Sequence, residues 1–207
     1  MDLSECQRFG IYFTPGPGAF AEFGAAWLGW DGATGRAAGP LEVSGLPMPV
    51  GDLTRTPQKY GFHGTLKAPF RLADGTTSDV LLSSVETFGG QTASVTLDGL
   101  TVARLGSFVA LVPVGDVSAL NALAGSIVRA FDGFRAPLRP QELERRRAKG
   151  LTPRQDQALL DWGYPHVFED FRFHMTLTGS LDAEDADQVA RVLDRVLQPH
   201  LEGPMSI

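Results

Sequence analysis

The sequence holds four histidines, and two of them fall in one frame: His63-Gly64-Thr65-Leu66 and His174-Met175-Thr176-Leu177. Each frame puts a histidine two residues before a threonine. Both lie in runs that read as β-strands, where residues two apart share a face. Each strand therefore offers an imidazole and a hydroxyl aimed the same way. Imidazoles titrate near neutral pH, so a pair can take one proton and give another. Two histidines and two hydroxyls in one cleft could run acid–base chemistry on a phosphate ester without a metal. The copies stand more than a hundred residues apart, so only folding can join them.

Alternation extends the active face. His63, Thr65 and Lys67 share one side of the first strand, with Phe62 and Leu66 on the other. In the second, Arg172, His174, Thr176 and Thr178 share a side, and Phe171, Phe173, Met175 and Leu177 share the core side. One such frame arises easily on a solvent-facing strand; two in a chain with four histidines are harder to assign to chance. His166 follows Tyr164-Pro165 as a loop residue that could reach the cleft mouth, and His200 reads as solvated. Metal ligation is disfavoured. No histidine pair has helical i, i+4 spacing, there is no cysteine cluster, and no Asp or Glu lies on either motif face. No G-x-S-x-G nucleophile elbow is present.

These strands need a scaffold. The 207 residues suffice for a single domain over 1–207, and 43% hydrophobic with 20% charged residues is ordinary for a globular chain. Net charge is −6, which argues against a general nucleic-acid grip. The local pattern differs. Leu53 to Ala73 has no acid but carries Arg55, Lys59, Lys67 and Arg71, and Arg135 to Arg154 has seven basic residues against Glu142 and Glu144. Basic patches on an acidic protein suit a small anion. Cys6 is the one cysteine, so no internal disulfide forms. Met1 to Phe9 has no signal-peptide core, and no apolar run nears the ~20 residues that span a bilayer, so a cytoplasmic protein is expected.

The expected elements are a strand at Phe9–Phe13, a helix over Ala19–Leu28, a Gly/Pro-rich loop over Asp31–Pro57 that could act as a lid, and the first motif strand within Tyr60–Leu72. A helix over Thr77–Phe88 should stop at Gly89-Gly90. Strands follow at Ala93–Leu97, Leu100–Leu105 and Phe108–Val112, with a hairpin at Gly106-Ser107. Asp116 is the expected N-cap of a helix over Val117–Phe131. Arg139–Lys149 reads as a partly helical basic connection. Thr152-Pro153-Arg154-Gln155 is a capping box opening a helix that stops at Gly163. The second motif strand is placed at Phe171–Thr178, and Asp182 caps a helix through Gln198. This order implies an α+β protein.

The two H-x-T-L runs resemble the paired motifs of the 2H phosphoesterase superfamily. Tyr60–Phe70 and Phe171–Gly179, with Trp27-Leu28-Gly29-Trp30-Asp31 and Leu151–Gln155, resemble its branch associated with bacterial phosphonate metabolism, over about residues 9–182. Gly64, where relatives often carry Ala, and Trp30, where a basic residue is common, depart from that pattern. The resemblance implies a bilobal α+β fold: two antiparallel-sheet lobes related by a pseudo-two-fold axis around a central cleft, helices outside. It implies a metal-independent cyclic phosphodiesterase without cofactor, a hydrolase with His63 and His174 as general acid and base. Thr65 and Thr176 would hold phosphate oxygens. Lys67 and Arg172, then Arg139, Arg146 and Tyr60, would meet the developing charge. The implied substrate is a small cyclic sugar phosphate such as 5-phosphoribosyl 1,2-cyclic phosphate, whose 5-phosphate gives the surplus cations a purpose. RNA ends with 2′,3′-cyclic phosphates, and a non-catalytic nucleotide or sugar-phosphate module, stay open as alternatives.

Overall fold

The computed structural model of the chain describes residues 6–39, 41–201 and 203–207. Most of the N-terminal stretch expected to lack a signal-peptide core lies outside them. In chain order, β1 (Phe9–Phe13) leads to α1 (Ala19–Leu28), a small β2 (Trp30–Asp31) and β3 (Arg36–Ala37) hairpin, and α2 (Val50–Thr54). The first motif strand is β4 (Gly64–Phe70). It is followed by α3 (Ser78–Gln91), β5 (Thr96–Leu97), β6 (Gly99–Leu105) and β7 (Phe108–Val114). Then come α4 (Ser118–Ala130), α5 (Pro140–Arg147), α6 (Pro153–Trp162), β8 (Met175–Thr176), α7 (Ala183–Leu197) and β9 (Met205–Ser206). No described helix is long and apolar enough to cross a membrane.

The protein is α+β with antiparallel sheets, as expected. The arrangement of the main sheet differs from two lobes with a sheet each. Five strands form one sheet in the order β1-β4-β8-β7-β6, with the motif strands β4 and β8 as direct neighbours. Sequence distance is no guide here, because β8 slots between β4 and β7, two strands formed much earlier in the chain.

The core lies on the apolar face of the motif strands. Phe62, Leu66, Phe173, Met175 and Leu177 are buried there as alternation requires. Trp27 of α1 is fully buried and its Nε1 donates to the Leu177 carbonyl at 2.8 Å, tying α1 to the second motif. An aromatic of this size buries roughly 200 Å², worth about 5 kcal/mol in transfer free energy. Gly24 lets α1 approach closely, since a Cβ there would sit 2.0 Å from the Phe62 ring. α7 packs on β6 and β7 through Ala186, Val189 and Leu193.

Local signals fared unevenly. The Thr152 capping box is formed, with Gly163 closing α6 in the left-handed region, and Asp182 caps α7 through the Asp185 amide. α3 runs through Gly89-Gly90 to Gln91, where Thr92 Oγ1 donates to the Phe88 carbonyl; two glycines at about 1 kcal/mol each do not break a helix of this length. Asp116 accepts from the Ser118 amide, but Val117 is the N-cap. The second motif strand is two residues long rather than eight. β8 meets β4 at the single pair Gly64–Met175, so the flanking residues are extended without a strand partner there.

Candidate functional site

The Gly64–Met175 pair is the centre of the site. Because the strands run antiparallel, one step to either side sets His63 opposite Thr176 and Thr65 opposite His174. Each histidine thus faces the other motif's threonine, and a local two-fold axis passes between Gly64 and Met175. Met175 is fully buried beneath. Gly64 leaves room for Phe173, whose ring would lie 2.3 Å from a Cβ at that position. The glycine that departs from the resembled pattern therefore serves the packing of this chain.

Both imidazoles are tethered alike. His63 Nδ1 lies 3.1 Å from the Gly61 carbonyl, and His174 Nδ1 lies 2.9 Å from the Arg172 carbonyl. A carbonyl only accepts, so Nδ1 carries the proton in each neutral ring and Nε2 presents its lone pair. Gly61, at φ +73°, makes the turn that aims its carbonyl back. Thr65 Oγ1 stands 3.4 Å from His63 Nε2.

The surroundings differ. Tyr12 and Tyr60 stand edge-on to His63, at 4.5 and 5.3 Å between ring centroids, while Phe108 tilts against His174 at 5.8 Å. Burial pushes the His63 pKa below the ordinary histidine value. The Gly61 carbonyl opposes that shift, and the charge of His174 adds to it, so the two imidazoles sense one another. Burial likewise raises the Tyr60 phenol, against the nearby Thr176 hydroxyl.

A cavity of about 600 Å³ opens beside Thr65 and His174 and runs along β4 beneath α4, α5 and α6. Six cations line it, Arg8, Lys67, Arg71, Arg135, Arg146 and Arg172, against Glu142 and Asp170. His166 also reaches its wall.

The expected cationic residues divide. Arg146 lines the cavity, over the Tyr164 ring at 5.2 Å. Arg172 lines it too, but its guanidinium donates to the Glu169 and Phe171 carbonyls. Lys67 is only 4% exposed; its ammonium donates to the Val128 carbonyl at 3.1 Å and faces Asp132 at 3.7 Å. Arg139 is exposed at the start of α5 and does not line the cavity. Thr178 leaves the cleft face altogether: it is buried, accepting from the Val109 amide and donating to the Gly179 carbonyl.

Sequence reasoning passed over Tyr12, Arg8, Arg71 and Tyr164. Arg71 was visible within an acid-free basic tract. Arg8 and Tyr12 reach the site through the pairing of β1 with β4, and Tyr164 through the loop after α6.

Two curated proteins resemble the chain over most of its length. One, from Janthinobacterium sp. (strain Marseille), is 40% identical over 184 residues, covering 88% of this chain and 41% of that protein. The other, from Laribacter hongkongensis (strain HLHK9), is 35% identical over 203 residues, covering 95% and 47%. Both are named ribose 1,5-bisphosphate phosphokinase PhnN, in keeping with the phosphonate-associated branch that the motif flanks resemble. The chain spans less than half the length of these relatives. Their name overturns the expected metal-independent cyclic phosphodiesterase, and the hydrolase class with it. A phosphokinase transfers a phosphoryl group, whereas the expected enzyme would have opened a cyclic ester with water. No solved structure matches the chain. Residues 65–207, more than half of the chain, match the sequence model of DUF1045, described as a protein of unknown function, and the chain belongs to that family.

Proposed function

We propose that this chain is the sugar-phosphate-handling part of a phosphoryl-transferring enzyme of phosphonate metabolism, and that it binds a phosphorylated ribose at the paired histidines. The observation that carries the reading is the crossed pairing of His63 with Thr176 and Thr65 with His174 at the mouth of a cation-lined cavity. Two imidazoles and two hydroxyls are brought together by that pairing, Thr65 and His174 on the cavity wall itself, and a phosphate has oxygens enough to accept from or donate to each of them. A phosphate whose second pKa lies near 6 can both accept a hydrogen bond from an imidazole and donate one to it. Relatives named for ribose 1,5-bisphosphate support the ligand class. No G-x-x-x-x-G-K-[ST] phosphate loop occurs in this sequence.

Titration calorimetry with ribose 1,5-bisphosphate, ribose 5-phosphate and ribose tests the reading. Binding of the phosphorylated sugars alone, weakened roughly tenfold to a hundredfold in His63→Ala and His174→Ala, is the expected result. Binding of none of them, or binding indifferent to both substitutions, would overturn it.

A further inference from the structure

The far end of the cavity carries charge that the histidine pair does not use. From Thr65 to Pro69, where the Arg8 guanidinium is anchored, the strand advances four residues, roughly 13 Å at about 3.3 Å each. Arg8, just before β1, reaches the same end, since Phe9 pairs with Phe70. Its guanidinium donates to the Pro69 carbonyl at 2.7 Å, and that of Arg71 donates to the Pro137 carbonyl at 2.7 Å. One carboxylate, Glu142, spans both, with one oxygen 3.4 Å from Arg8 and the other 3.4 Å from Arg71. It also accepts from the Arg139 amide, which with Arg71 and Arg8 holds its carboxyl below the usual range. Arg146 stands one helical turn after Glu142, over the half-buried Tyr164 ring. It has no carboxylate partner among the described residues, and its Nε is buried and donates to no acceptor there. The Arg146 side chain lines the cavity without a protein acceptor among the described residues, which leaves its guanidinium available to an anion.

Three guanidiniums face one carboxylate, leaving two positive charges, the charge of a phosphate monoester dianion. We infer that Arg8, Arg71, Arg146 and Tyr164 form a second anion subsite, which takes the far phosphate of a sugar bisphosphate whose other phosphate lies at the histidines. This inference rests on the proposed sugar-phosphate reading and names which member of that class the site prefers. A single phosphate does not reach from the motif threonine to the Arg8 guanidinium, whereas a ribose with a phosphate at each end brings an anion to both. Glu142 keeps the Arg8 and Arg71 forks aligned and tempers their pull on anions. Arg146 supplies donors that no group among the described residues competes for.

The experiment measures ribose 1,5-bisphosphate affinity by calorimetry in the full chain and in His63→Ala, Arg146→Gln, Glu142→Gln and the His63→Ala/Arg146→Gln pair. Arg146→Gln should weaken binding roughly tenfold to a hundredfold, and the double variant should lose about the product of the two single losses, as distant sites do. Glu142→Gln retains an oxygen for the Arg139 amide and should bind several-fold more tightly, a gain that misfolding cannot mimic. Loss in the histidine variant with no change in Arg146→Gln or Glu142→Gln would overturn the second subsite and leave the proposed function standing. Loss in Arg146→Gln with an indifferent His63→Ala would overturn the proposed function instead. Failure of the unsubstituted chain to bind would overturn both.

Discussion

The two motif copies are alike in sequence and unlike in setting. Both tether Nδ1 to the carbonyl two residues earlier, and both bury the hydrophobic residue that follows the threonine. His63 is boxed in by two tyrosines, whereas His174 stands at the open cavity beside one phenylalanine. Four residues after each histidine the copies part again. Lys67 turns under α4 to the Val128 carbonyl, and Thr178 turns into the junction with β7 to meet the Val109 amide. The polar face therefore ends at the threonine in both copies, because the next position is covered by a neighbouring element. A repeated motif supplies matching groups, and unmatched surroundings give them separate tasks.

The largest test of this contrast is stability at the covered positions. Lys67→Ala should cost about 2–4 kcal/mol, since it opens a gap and strands the Val128 carbonyl, while Lys67→Met should recover part of it. Thr178→Val should cost about 1–2 kcal/mol through the lost acceptor for the Val109 amide. Chemical denaturation of each variant measures both, and indifference to Lys67→Ala would show that the ammonium belongs to the cavity rather than to the frame. At the symmetry centre, Gly64→Ala should cost about 2 kcal/mol by forcing the Phe173 ring aside. Adding Phe173→Leu should relieve part of that strain, and an additive pair would disprove the contact.

Smaller effects sharpen the difference between the imidazoles. His63 should titrate below 6.5 in the folded protein, and His174→Ala should move it upward by removing a like charge, with burial still holding it down. NMR titration of the ring resonances reads this directly. The sign for stability follows: the unfolded chain takes up the proton first, so the contribution of His63 is present above about 6.5 and is lost as pH falls through the folded value. An unfolding midpoint that rises on acidification through this window would contradict the burial of His63. The smallest expected effect is at the hydroxyls. Thr65→Val and Thr176→Val should each weaken sugar-phosphate binding by roughly threefold to tenfold, matched between copies because their positions are related by the local axis.

Much of the local structure was legible because its causes are local. The helical spacing of Phe20, Phe23 and Trp27 marked α1, and the Thr152 and Asp182 caps marked two helix starts. The second motif was legible as an alternating pattern but not as a strand of two residues, since strand length depends on which partners remain alongside. Arg139 and Arg146 read alike within one basic run; only the facing of α5 puts Arg146 over Tyr164 and Arg139 outside the cavity.

The sequence by itself determined that two imidazole–hydroxyl pairs exist, that each shares a strand face, and that an apolar stripe lies behind each one, because period-two alternation is a property of the strand alone. Tertiary structure decided that β8 inserts beside β4, that Gly64 meets Met175, and that each histidine therefore faces the other copy's threonine. It also decided which cations line the cavity and which, like Arg139, lie outside it. Those outcomes depend on sheet order, register and the helix lying over each position, and they are settled by contacts between segments distant in the chain.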